Sequence, residues 1–174
     1  YRAVRTLGRR TRAQAASSSS GKKIYEDVVE LNSSLAKSKG LQLNLEWNTN
    51  LPKSIKTDAT RVKQVLNNLI SNAIKFSGDR STISVSMEVT GNTDKEILLV
   101  KVCDEGPGVP EDELGSIFDK FVQSSVTRSG AGGTGLGLAI SKEIVDLHGG
   151  KIRAFNNAES GVTFEFWVPV SAES

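Results

Sequence analysis

Residues 61–77 read RVKQVLNNLISNAIKFS, and the alternation of apolar and polar residues in this stretch decides what kind of domain the chain builds. Val62, Val65, Leu66, Leu69, Ile70, Ala73 and Phe76 recur at three- and four-residue intervals, the period of a helix with one buried face. Asp58 stands where an N-cap is needed, so the spacing predicts an amphipathic helix of about five turns. Projected at about 100° per residue, Asn68, Asn72 and Lys75 fall within roughly 60° of one another beside the apolar stripe. In isolation that edge fits a solvated helix face as well as a ligand site. Two amide oxygens suit a hard cation such as Mg2+, and a lysine ammonium suits phosphate oxygens.

The neighbouring elements follow from the same kind of reading. Upstream, Ile24, Val28, Leu31 and Leu35 have helical spacing, and Gly40 is placed to end that helix. Residues 41–47 (LQLNLEW) alternate as a half-buried strand, and Pro52 interrupts before an extended stretch at 54–57. Downstream, residues 82–89 and 97–102 read as a hairpin with Gly91 and Asn92 supplying the turn. Pro110, followed by Glu111, Asp112 and Glu113, predicts the first turn of a short helix. Residues 122–133 lack periodicity and read as a mobile loop. A last helix is expected from about Gly135 to His148, closed by Gly149 and Gly150, with strands at 151–156 and 162–168.

Composition sets the outer limits. With 174 residues, 37% hydrophobic and 24% charged, the chain is expected to form one soluble globular domain. It has no apolar run of roughly 20 residues and no basic-then-apolar leader pattern, so a cytoplasmic fragment without membrane contact is expected. The lone Cys103 cannot form an internal disulfide and fits a buried small hydrophobe in a reducing compartment. A net charge of +2 argues against nucleic acid as a partner, although Arg2, Arg5, Arg9, Arg10 and Arg12 crowd the start. Residues 1–21, basic and then serine-rich, read as a linker or the remnant of a preceding helix, and residues 22–174 as the domain.

Two further motifs bear on chemistry. Residues 104–110 read DEGPGVP after a central strand, where a carboxylate can accept a hydrogen bond from an adenine amino group and glycines let the backbone approach a flat ring. A simple turn has the same composition. Gly133, Thr134, Gly135, Leu136, Gly137 and Leu138 open the last helix, and glycines there can bring free N–H groups and the positive helix end to a phosphate chain. A long loop precedes this motif, unlike a Rossmann turn, and the GxxxxGK[ST] pattern of P-loop proteins is absent.

Taken in order, these blocks resemble the catalytic ATP-binding domain of sensor histidine kinases, within the wider GHKL group that includes DNA gyrase, Hsp90 and MutL. The resemblance spans residues 24–169: RVKQVLNNLISNAIKFS resembles the N box, DEGPGVP the G1 box, IFDKF the F box, GTGLGLAISKEIVDLHGGKI the G2 box and SGVTFEFWVP the G3 box. It implies the Bergerat fold, an α/β two-layer sandwich with a mixed sheet of about five strands and three helices on one face. It also implies the ligands, ATP and Mg2+. Asn72 resembles the Mg2+ ligand, Asn68 a support for metal and phosphate, and Lys75 a phosphate contact. Asp104 resembles the adenine-reading aspartate, with Gly106, Gly108 and Val109 shaping the pocket and Thr163 near the base through water. Phe118 and Phe121 match the F box, Lys120 and Arg128 are candidates to reach phosphate, and residues 133–138 match the phosphate loop.

Within that group, gyrase, Hsp90 and MutL place a water-activating glutamate four residues before the metal asparagine. Here that position is Asn68, which favours phosphoryl transfer over hydrolysis. The resemblance therefore implies a two-component histidine kinase whose γ-phosphate goes to a histidine on a dimerisation domain and then to a response regulator. The domain alone is expected to be a monomer and its parent a homodimer. No acceptor motif is present, and the only histidine, His148, sits in a last helical turn where a carbonyl-capping role is expected. A GHKL-type ATPase and an ATP-sensing module without transfer are the alternatives.

Overall fold

The computed structural model describes residues 17–19, 21–47, 55–92, 95–126 and 133–172. The arginine-rich start, Pro52, Arg128 and the middle of the glycine-rich loop lie outside the described residues.

Five strands form the main sheet: β2 (Gln42–Trp47), β4 (Thr82–Asn92), β5 (Lys95–Cys103), β6 (Lys151–Asn156) and β7 (Val162–Ala172). They lie in the order β2-β4-β5-β7-β6, with β2 parallel to β4 and the remaining pairs antiparallel. Two three-residue strands, β1 (Ser17–Ser19) and β3 (Ile55–Thr57), continue the sheet from the end of β7. Ser17–Ser19 thus pairs with β3.

Helices α1 (Gly21–Ser38), α2 (Ala59–Phe76) and α3 (Gly137–Leu147) cover one face. Between them and the sheet lies one core, in which Leu66, Leu69 and Ile70 of α2 meet Ile83 and Val85 of β4, Leu98 and Val100 of β5 and Phe166 of β7, all fully buried. Asp58 caps α2, its carboxylate accepting from Arg61 N at 3.1 Å. On the other face of the sheet, Glu165 is buried between Arg153 at 2.6 Å and Lys101 at 3.5 Å, a charge row across three strands.

Four sequence expectations shift. Helix α1 does not bury Leu31 and Leu35, which are 69% and 48% exposed; its inner face is Ile24, Tyr25, Val28, Asn32 and Ala36. That stripe includes an asparagine because its amide is satisfied, donating to Val28 O at 2.8 Å and to Asn67 Oδ1 at 2.9 Å. Tyr25 likewise donates to Val85 O at 3.1 Å. Gly91 and Asn92 still pair, with Glu96 and Lys95, so the hairpin turn lies beyond them. After Pro110 the chain forms turns bonded three residues apart, Glu113 N to Pro110 O and Ser116 N to Glu113 O, then a single 3-10 turn at Ser116–Phe118 instead of an α-helix. Helix α3 starts at Gly137, because Gly135 has a left-handed φ of 66°.

Truncating the two helix stripes separates buried from exposed leucines. Leu66→Ala should cost roughly 2–5 kcal/mol in urea denaturation, whereas Leu31→Ala should cost about 0.5 kcal/mol or less. Equal losses would contradict the orientation of α1.

Candidate functional site

A cavity of about 290 Å3 opens between α2, the loop after β5 and the start of α3. Its first wall follows from the packing of α2. Burying Val62, Leu66, Leu69 and Ala73 against the sheet turns Asn68, Asn72, Lys75 and Phe76 toward the cavity. Asn68 is held in one orientation, Nδ2 donating to Gly137 O and to Ser141 Oγ, each at 3.2 Å. Both amide hydrogens are then used, leaving Oδ1 as the available pole. The Lys75 ammonium lies 4.9 Å from the centre of the Phe76 ring. It also lies so near Gly133 that a Cβ there would stand 2.7 Å from Nζ.

Asp104 lines the same cavity from just after β5 and is only 4% exposed. Its Oδ1 accepts from Gly106 N at 2.9 Å and from Val162 N at 3.2 Å. Burial pushes this carboxyl above the usual aspartate range, and the two backbone bonds pull partly back. Oδ2 receives no hydrogen bond among the described residues. Gly161, with φ of 83°, passes so close that a Cβ would fall 1.8 Å from Asp104 O. Ile117, Leu138, Val162 and Phe164 supply apolar walls.

The start of α3 differs from that of α2. Leu136 at its N-cap makes no side-chain cap bond, and the first turn has no acidic residue. Its first N–H groups and the positive end of its dipole therefore face the cavity without a protein anion.

Of the residues singled out in the sequence, Asn68, Asn72, Lys75, Asp104, Gly108, Val109, Gly133, Thr134, Gly135, Gly137 and Leu138 line this one cavity. Others do not. Gly106 lies behind Asp104 against Phe76 O, and Leu136 serves as the α3 cap. Phe121 is 74% exposed, with a φ of 66° where its N–H donates to Gly135 O at 3.0 Å. Lys120 borders a second, shallow depression with Asp119, Lys142 and Asp146. Thr163 donates to Asn157 Oδ1 at 2.6 Å and stays out of the cavity. Phe118 is buried edge-to-face on Phe164 at 6.3 Å. His148 Nδ1 donates to Ile144 O at 2.7 Å, the capping role its position suggested.

Sequence reasoning put Phe76 in the buried stripe of α2, where the structure has Ile74, and passed over Ser71, Pro107, Ile117, Gln123 and Phe164; all but Ile74 line the cavity. Phe76 carried a usable signal, standing four residues after Asn72 on the same helix edge. The apolar walls carried none, since a cavity wall and a core wall have the same composition.

The family described as "Histidine kinase-, DNA gyrase B-, and HSP90-like ATPase" matches residues 57–172. The sensor histidine kinase WalK of Bacillus subtilis (strain 168) is 39% identical over 134 residues, covering 75% of this chain and 22% of WalK. This chain therefore corresponds to a minor part of that relative's length. The nucleotide-free catalytic domain of the histidine kinase ThkA superposes with a TM-score of 0.76 at 31% identity, covering 90% of this chain and 96% of that domain. ThkA has also been solved with the response regulator protein TrrA, with a TM-score of 0.72 at 31% identity over 88% of this chain and 41% of that one. Full-length ShkA in complex with AMPPNP superposes at 0.79 with 28% identity, over 91% of this chain and 32% of that one. With the five-strand sheet and the helix layer in place, the chain belongs to the GHKL family as an ATP-binding catalytic domain of the histidine kinase type.

Proposed function

We propose that this domain binds Mg·ATP and transfers the γ-phosphoryl group to a histidine on a separate dimerisation domain. The observation that carries this reading is the polarity of one cavity. We take the Asp104 carboxylate as one end and the uncapped start of α3, hydrogen-bonded to Asn68 and lining the cavity with Asn72 and Lys75, as the other. Adenine fits the first end, its amino group donating to Asp104 between apolar walls. The triphosphate fits the second, where Lys75 and the helix N–H groups meet its charge.

Asn72 and Asn68 are the residues to hold Mg2+. Neutral amide oxygens suit an ion that completes its coordination with phosphate and water, and Asp104 is the only carboxylate lining the cavity among the described residues. The bound ion supplies charge neutralisation on the phosphates. As the bond from the γ-phosphorus to its bridging oxygen breaks and one to an imidazole nitrogen forms, Lys75 and α3 hold the triphosphate in line. Hydrolysis needs a base to take a proton from water, and the amide of Asn68, engaged with Gly137 and Ser141, cannot serve.

The kinase relatives and the ThkA–TrrA complex support a response regulator as the next recipient in the parent protein. That parent is proposed to act as a cytoplasmic-facing homodimer, and this domain alone as a monomer. No helix among the described residues is long and apolar enough to cross a membrane.

Mixing this chain with labelled ATP and a histidine-bearing dimerisation domain should label that domain, and Asn72→Ala should lower the rate by about a hundredfold or more. Absence of labelling by the unaltered chain with a well-folded acceptor would sink the proposal. Asp104→Asn should weaken ATP binding by about 1–3 kcal/mol in calorimetry. Because the folded pKa of Asp104 is raised, its ionisation opposes folding, and the domain loses stability as pH rises from the ordinary aspartate range through the raised value. The free Asp104→Asn domain should accordingly melt no lower than the original near neutral pH. The Asp104 carboxyl carbon should titrate above the ordinary value of 3.8 by NMR, and a midpoint at or below it would contradict the burial effect.

A further inference from the structure

Strand β6 ends on Asn156, and Asn157 follows it; no motif singled out either asparagine, and they grip the two ends of the 104–109 loop. Asn157 Nδ2 donates to Asp104 O at 2.9 Å. Asn156 takes the far end with both poles of its amide: Oδ1 accepts from Val109 N at 2.9 Å, and Nδ2 donates to Val109 O at 2.6 Å. The second Nδ2 hydrogen goes to Glu111 Oε1 at 3.0 Å. Every conventional hydrogen-bonding hydrogen of this amide is therefore used, and its orientation is set, since flipping it would oppose N–H to N–H and oxygen to oxygen.

Pro107, Gly108 and Val109 line the cavity beside Asp104. Among the described residues their main chain makes no hydrogen bond except those to Asn156. Gly108 turns here with φ of 74°, and a Cβ on it would stand 2.8 Å from Asn156 Oδ1, so the asparagine fills the inside of the turn. Asn156 itself does not line the cavity.

We propose that Asn156 is a positioning residue for the nucleotide base: by clamping both backbone groups of Val109 it holds the 107–109 wall against the ring that Asp104 reads. The inference rests on the nucleotide reading above. A side chain that can only accept, or only fill space, cannot make both bonds. Without the clamp the wall is tethered only through its chain neighbours, and ordering it falls to the ligand. The effect belongs to the base end. The phosphate end is built on α2 and α3, which Asn156 does not touch through any hydrogen bond.

The test compares the original chain with Asn156→Asp, which keeps size and the acceptor but loses the donor, and Asn156→Ala. Transfer from Mg·ATP to a supplied dimerisation domain is followed alongside inhibition by inorganic tripolyphosphate, a probe with no base. KM for ATP should rise about tenfold or more in both variants, the effect of one or two lost hydrogen bonds. The kcat and the tripolyphosphate inhibition constant should stay within about twofold. Unchanged KM overturns the proposal. So does a parallel fall in kcat and tripolyphosphate binding, which would show general damage. Should Asn156→Ala fail to fold, the near-isosteric Asn156→Asp decides alone. Failure of the original chain to use ATP would count against the nucleotide reading instead.

Discussion

Helix α2 has to do two incompatible things with its surface, and the rest of the domain is arranged around that requirement. Val62, Val65, Leu66, Leu69, Ile70, Ala73 and Ile74 form a stripe that is almost fully buried. A helix with so wide an apolar face can seat on the sheet in one rotation, and that rotation leaves Asn68, Asn72, Lys75 and Phe76 along a cleft. The cleft is therefore a by-product of core packing. Its polar edge is as rigid as the hydrophobic core beneath it, which is what a site that orients a phosphate chain requires. Helix α3 then completes the site through contacts with α2. Ser141, fully buried, donates to Gly137 O at 2.9 Å while accepting from Asn68, joining the two helices beside the cavity.

The wall at Asp104 obeys a different constraint. A carboxylate this far out of solvent disfavours its own ionised form, and two backbone N–H groups on Oδ1 offset only part of that cost. The loop carrying it is short of main-chain partners, so its shape is imposed from the end of β6 at Asn156, from Asn157 just after it, and from the G3 segment at Gly161 and Val162. One cavity thus has two sources of rigidity: apolar packing beneath its α2 wall, and side-chain hydrogen bonds behind the loop that carries Asp104.

Much of this was legible in the sequence because strong periods and glycine motifs are local. The α2 stripe, its Asp58 cap and the turn into α3 each follow from residues within one or two turns of one another. The inner face of α1 was not. Leu31 and Leu35 keep a helical period with Ile24 and Val28, and what turns them outward is the satisfied Asn32 and the small Ala36, a tertiary preference that hydropathy ranks the wrong way. Phe121 misled for a related reason. Its motif neighbour Phe118 enters the core, but a left-handed φ at Phe121 sends its ring to solvent. Asn156 and Asn157 had no signal at all, since a pair of asparagines after a strand is also what a plain turn looks like.

Gly161 shows how a chemical requirement can hide inside a steric one. It offers nothing to a ligand, yet its backbone runs so close to Asp104 O that any side chain would collide there. A map of inactivating substitutions would therefore score Gly161 beside Asp104, as though both had one role. In such a map the two positions are indistinguishable. The difference lies in what each could be rescued by: Asp104 needs an acceptor facing the cavity, whereas Gly161 needs only empty space behind it.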